Sequence, residues 1–141
     1  MNLLVLDTNI LMSALIRNSL TREIIESLKI NYLFPDYGLD EIYSNKKEII
    51  MKAKISEREF DILLLRILKY VRVIPFDVIS SYATKADEII GCIHKTDVPF
   101  IATALAFNCP VWSDDKHFKK QDRVKVLTSK DMIEMLGEDT K

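Results

Sequence analysis

Leu3-Leu4-Val5-Leu6-Asp7-Thr8-Asn9 is the stretch that decides the fold. Four consecutive apolar residues read as a strand buried on both faces. The run stops at an ionisable group, Asp7, and the next apolar positions, Ile10, Leu11, Ala14 and Leu15, recur at helical spacing. A carboxylate between a buried strand and a helix stands where open α/β sheets bind ligands, outside the carboxyl ends of the strands. Left uncompensated there, it is costly. The rest of the chain has to supply what compensates Asp7.

Further strands are predicted at Asn31-Tyr32-Leu33-Phe34-Pro35, Val71-Arg72-Val73-Ile74-Pro75, Val111-Trp112-Ser113 and Val124-Lys125-Val126-Leu127. Helical patterns lie between them. Thr21 is expected to cap one helix, and Asp36 to open another that runs to about Ala53. Ser56 with Glu59 forms a capping box for a third. A helix is expected from about Val78 to Ile93. The next begins at Asp97 and Pro99, a proline tolerated only in a first turn, and stops at Asn108 and Pro110. Ser129 should cap the last, which Gly137 closes, leaving 138–141 as a frayed tail. Alternating strands and helices imply a parallel sheet covered on both faces. At 141 residues the chain is read as a single domain over 1–137.

Composition narrows the functions. With 48% hydrophobic and 29% charged residues the chain is globular. Only three glycines are present, so Walker and dinucleotide phosphate loops are excluded. A net charge of -1 argues against bulk non-specific gripping of nucleic acid and leaves local patches for that work. Cys92 and Cys109 show no metal-ligand spacing and read as reduced core residues. Nothing resembles a signal peptide or a bilayer-spanning segment, so a soluble cytoplasmic protein without membrane contact is expected.

Four acids then stand out. Asp7 ends the first strand, Asp115 ends the fourth, Asp97 opens the helix feeding the fourth, and Glu41 lies one turn into the helix after the second. If the first and fourth strands are neighbours, all four converge at one sheet edge. Carboxylates within ~4–6 Å of one another raise each other's pKa and destabilise the fold unless a cation joins them. Hard divalent ions with oxygen ligands, Mg²⁺ or Mn²⁺, suit such a cage, and the cage suits metal-assisted attack of water on a phosphodiester. Each acid alone has a plainer reading: Asp7 and Asp97 as helix N-caps, Glu41 as a solvated helix residue, Asp114-Asp115 as a turn. His117 reads as a surface residue and Trp112 as core.

Leu6-Asp7-Thr8-Asn9, Leu39-Asp40-Glu41-Ile42, Asp97-Val98-Pro99-Phe100-Ile101-Ala102-Thr103-Ala104 and Trp112-Ser113-Asp114-Asp115-Lys116-His117-Phe118 together resemble the PIN domain family, in order and over nearly the whole chain. The resemblance implies a Rossmann-like three-layer α/β/α domain with a parallel sheet ordered 3-2-1-4-5. It implies a metal-dependent endoribonuclease of the VapC type, the toxin of a VapBC pair, with a cognate antitoxin and a homodimer as partners. Asp7, Glu41, Asp97 and Asp115 match the family's catalytic and metal-binding quartet. The family's Thr or Ser two positions before the last acid selects Asp115 over Asp114. Asn9 and Ser113 match polar residues that support the cage, with Asn9 expected to hydrogen-bond a ligand carboxylate. Some relatives carry a further acid where this chain has His94. Lys116, Lys119 and Lys120 beside the cage are candidates for RNA contact, with Lys46, Lys47, Lys52 and Lys54 as a second cluster.

Two other readings compete. One is a non-catalytic module of the same fold, acting through dimer or antitoxin contacts. The other is a phosphotransfer domain. A haloacid-dehalogenase-type site wants an Asp where Asn9 stands, and a receiver wants an Asp after the third strand, where Asp77 is poorly set.

Overall fold

The computed structural model describes residues 2–139. Strand β1 spans Leu3–Leu6, β2 Asn31–Pro35, β3 Val71–Ile74, β4 Val111–Trp112 and β5 Val126–Leu127. All pair in parallel, in the order β3-β2-β1-β4-β5. β1 is central, with Val5 paired to Leu33 on one side and to Val111 on the other. Leu4, Val5 and Leu6 are fully buried, as an apolar run without alternation requires. The chain leaves β1 to build one half of the sheet and returns beside it to build the other. The carboxyl ends of β1 and β4 therefore flank the switch point, where the two crossovers diverge and leave a crevice.

Helices are α1 Thr8–Ser13, α2 Leu20–Ser27, α3 Asp36–Ser44, α4 Lys46–Ala53, α5 Glu57–Leu68, α6 Phe76–Ile79, α7 Ala83–Ala86, α8 Val98–Phe107 and α9 Ser129–Asp139. α2 contacts α5 and α9, whereas α8 contacts α6, α7, β1 and β2. The small residues of α8 allow this close seat: Ala102, Thr103 and Ala104 are all buried.

Several local expectations are corrected by side-chain hydrogen bonding. Ser19, not Thr21, caps α2, its hydroxyl accepting from the Arg22 N–H. The single helix expected over 36–53 is two. The Asn45 side chain and backbone N–H both turn back to the Glu41 carbonyl and end α3, because an Asn amide competes with the helical ladder. The Val78–Ile93 helix is a chain of short pieces, α6, a 3₁₀ turn, α7 and a π-turn over Asp87–Gly91. β5 is shorter than predicted. The Gln121 amide accepts from the Arg123 and Val124 N–H groups and donates to the Phe118 and Val124 carbonyls, holding that approach as a loop. Thr128 caps α9 in reciprocal bonds with Asp131. The helix runs through Gly137 to Asp139; Thr140 and Lys141 lie outside the described residues. Cys109 is half-buried, which pushes its thiol up to about 11, but Cys92 is exposed and not in the core. The Ser56–Glu59 capping box is present with both bonds.

Buried Arg22 closes the gap between α1 and α2. Its guanidinium donates to the carbonyls of Ala14, Ile16 and Arg17, which have left the helical ladder. Gly38 does comparable work for α3. A Cβ there would sit 2.3 Å from Cζ of Phe34, a fully buried ring on β2 that also packs on Phe100. Alanine would gain about 1 kcal/mol of helix propensity. Overpacking against an immobile ring costs about 1–3 kcal/mol. Gly38→Ala should therefore lower the urea midpoint of unfolding, and an unchanged or raised midpoint would show that α3 can lift off the ring freely.

Candidate functional site

At the switch point lies a cavity of about 370 Å³ whose walls include Asp7, Glu41, Asp97 and Asp115. Four separate elements deliver these acids to one place. Asp7 follows β1 directly and is 5% exposed. Its Oδ1 accepts the Ile10 N–H at 2.8 Å and caps α1, while its Oδ2 accepts a short hydrogen bond from the fully buried Ser113 hydroxyl. The capping role and the site role thus coexist. Burial, reinforced by the charges of Asp97 and Asp115, outweighs those two hydrogen bonds and pushes the Asp7 carboxyl up to about 6.

Ser113 links two acids. Its hydroxyl donates to Asp7 and accepts the Asp115 N–H at 3.0 Å, and its own N–H donates to the Leu127 carbonyl, so the loop after β4 is tied to both neighbouring strands. The consecutive acids then diverge. Asp114 accepts from the Ser129 N–H at 2.6 Å and from the Ser129 hydroxyl, at the start of α9. Asp115 faces the cavity, with Oδ1 accepting the His117 N–H at 3.0 Å.

Asp97 occupies the N-cap position of α8, yet its side chain makes no capping hydrogen bond. It is 8% exposed and its Oδ2 is buried without a hydrogen-bond partner. Burial raises its pKa, the charge of Asp115 adds to the rise, and the neighbouring histidines oppose it. Glu41 is half-buried, and the Thr8 hydroxyl donates to its Oε1 at 2.6 Å.

The remaining sequence candidates are placed as follows. Asn9 lines the cavity but is exposed, and its carbonyl accepts from Ser13; the hydroxyl reaching a site carboxylate comes from its neighbour Thr8. No site role for Thr8 is legible in the sequence. Lys116, Lys119 and Lys120 are exposed on the 3₁₀ turn after Asp115 and are not in the cavity wall. Lys52 of the other cluster is in it, paired with Glu48 at 2.7 Å, whereas Lys46 is spent on Glu57 and Asp61. His117 is not a plain surface residue: it stacks on His94 with ring centroids 4.3 Å apart, at the rim beside Asp97 and Asp115. Trp112 is fully buried, its indole N–H donating to the Ser129 hydroxyl.

An orphaned buried carboxylate oxygen, set among three further acids, fits a hard divalent cation with oxygen ligands. The acids also leave a signature in the metal-free protein. The Asp7 carboxyl holds its proton more tightly folded than unfolded, so the stability this contributes is present below about pH 4 and lost as pH rises through about 6. Over that window metal-free stability should fall by on the order of 3 kcal/mol. Asp7→Asn keeps an acceptor for Ile10 and removes the charge. It should flatten this slope and leave the metal-free protein more stable than wild type at neutral pH, as read by urea unfolding in chelator. A slope unchanged by the substitution would assign the effect to other groups.

The PIN domain family model matches residues 5–135. Among solved structures, the chain is similar to VapBC2 from Rickettsia felis, bound to a DNA fragment from its promoter. The TM-score is 0.69 and the identity 17%, covering 89% of this chain and 98% of that one. It is also similar to FitAcB from Neisseria gonorrhoeae, with TM-score 0.63, 19% identity and coverage of 88% and 96%. No curated protein matches. No helix among the described residues is long and apolar enough to cross a membrane. A five-stranded parallel sheet ordered 3-2-1-4-5 with acids gathered at its switch point, and a family match over nearly its full length, place the chain in the PIN domain family.

Proposed function

We propose that the protein is a divalent-metal-dependent endoribonuclease, the toxin of a toxin–antitoxin pair. The observation that carries this is the buried, unpartnered Asp97 Oδ2 in a cavity shared with Asp7, Glu41 and Asp115. A module that only bound a partner would gain nothing from holding these charges together out of water.

In this reading Asp7, Asp97 and Asp115 hold one or two Mg²⁺ or Mn²⁺ ions. When bound, the ion supplies Lewis acidity toward the phosphate and lowers the pKa of water. The protein's part is positional. Ser113 and the Ile10 N–H fix both oxygens of Asp7, each of which keeps a lone pair for a further partner. Thr8 holds Glu41 by Oε1, leaving Oε2 to orient the attacking water and take its proton. The leaving ribose oxygen takes its proton from water, and the exposed Lys116, Lys119 and Lys120 after Asp115 are available to the RNA backbone.

The likeness to VapBC2 and FitAcB supports a cognate antitoxin as partner, and a cytoplasmic homodimer is part of the same reading.

Three outcomes test the reading. Mn²⁺ or Mg²⁺ should raise the melting temperature of wild type and not of Asp7→Asn, because an ion bound only by the folded state stabilises it. Asp7→Asn should cleave RNA at least about 10³-fold more slowly while its circular dichroism is unchanged. Thr8→Val should keep the fold and lose about 10–100-fold in cleavage by freeing Glu41. Full activity in Asp7→Asn would overturn the role given to the acid quartet, and no metal shift together with no cleavage by wild type would favour the non-catalytic module.

A further inference from the structure

His94, Asp97 and His117 each offer one ligand atom, and these atoms all lie within 4.8 Å of one another. The histidines come from different elements. His94 precedes the 3₁₀ turn Lys95–Asp97, and His117 lies in the turn after β4. Their rings are stacked, 14° from parallel. His94 Nδ1 is 3.2 Å from Asp97 Oδ2, and His117 Nδ1 is 3.8 Å from the same oxygen and 3.0 Å from Asp115 Oδ1. Despite these approaches, Asp97 Oδ2 and His117 Nδ1 are both buried and neither has a hydrogen bond of acceptable geometry. Two buried polar atoms without hydrogen bonds, 3.8 Å apart and on separate elements, are unusual in a folded protein, where buried polar atoms find partners. Thr96 Oγ1 lies 2.8 Å from His94 Nδ1, so an ion bound at that nitrogen would take the place of this hydroxyl contact.

We propose that His94, Asp97 and His117 form a mixed nitrogen–oxygen site for a borderline transition-metal ion of the Zn²⁺ or Co²⁺ type. The site shares Asp97 with the oxygen cage, and it rests on the nuclease reading only in that sharing. Imidazole nitrogen favours such ions, whereas Mg²⁺ takes oxygen ligands almost alone. A metal–nitrogen bond of ~2.1 Å keeps two ligands of one ion within ~4.2 Å. Closing the set therefore needs a small rotation of rings whose side chains are 41% and 34% exposed. The consequence is selectivity. Next to the all-oxygen cage, this corner of the cavity discriminates among divalent ions, and the choice depends on two side chains outside the acidic quartet.

The test uses the full-length protein without RNA, at about pH 7.5, above the ordinary imidazole range near ~6.5. Co²⁺ is titrated and followed by its visible absorption, and Mg²⁺ affinity is measured in parallel by calorimetry. His94→Ala and His117→Ala, each checked by circular dichroism, should weaken Co²⁺ binding at least about ten-fold and reduce the nitrogen-dependent absorption. Mg²⁺ affinity should change by less than about two-fold. In wild type, saturating Zn²⁺ should shift one ¹⁵N resonance of each imidazole, a readout that needs no variant. Unchanged Co²⁺ affinity in both variants, or imidazole resonances unmoved by Zn²⁺, would overturn the proposal. Because every readout is taken without RNA, a protein that binds Co²⁺ as described but never cleaves RNA overturns the nuclease reading alone.

Discussion

Taking Asp7 out of water is the constraint from which the rest follows. A carboxylate 5% exposed at the buried end of β1 loses most of its hydration, and two further acids beside it add repulsion. Two hydrogen bonds, from Ile10 and Ser113, recover part of that cost and leave the group pushed up to about 6. A fold evolved for stability alone has simpler choices at this position, an Asn or a Ser among them. Holding the charge there makes sense if something cationic completes it, and the orphaned oxygen of Asp97 marks where completion is lacking.

Hydroxyl groups, not opposite charges, do the positioning. Ser113 joins the ends of β1 and β4 through one oxygen, and Thr8 reaches across to Glu41 on α3. Neutral donors fix the acids without neutralising them, so the negative potential stays available to a cation. Lysine and arginine pair with other acids, Arg17 with Glu59, Arg66 with Glu26, Lys46 with Glu57 and Asp61, and Lys52 with Glu48 in the cavity wall. The paired acids after β4 divide the labour, Asp114 tying the loop to α9 while Asp115 turns inward.

The sheet was legible because its information is local. Each strand is a short apolar run with clear stops, and alternation with helices leaves few topologies; the resemblance carried by the motifs supplied the order 3-2-1-4-5. The acids were legible as a set through their positions at element ends, and the structure lines one cavity with all four. What escaped reading depends on side chains choosing partners in space. Asn45 divides α3 from α4 by folding back on Glu41, and Gln121 replaces the start of β5 with a loop hydrogen-bonded to its amide. Ser19 outcompetes Thr21 for α2, and Thr8 supplies the hydroxyl that holds Glu41. The stacking of His94 on His117 joins residues on separate elements, and no spacing rule connects them. Gly38 was likewise invisible, because the Phe34 ring beneath it is a tertiary neighbour.

The placement of β4 between β1 and β5 has a bearing on synthesis. The first acid of the cavity is made at position 7 and the last at position 115, and the hydroxyl joining them belongs to Ser113. Until β4 has emerged and slid in beside β1, the nascent chain holds isolated acids and no cavity. Whatever chemistry the completed pocket performs is therefore withheld until that late strand is in place.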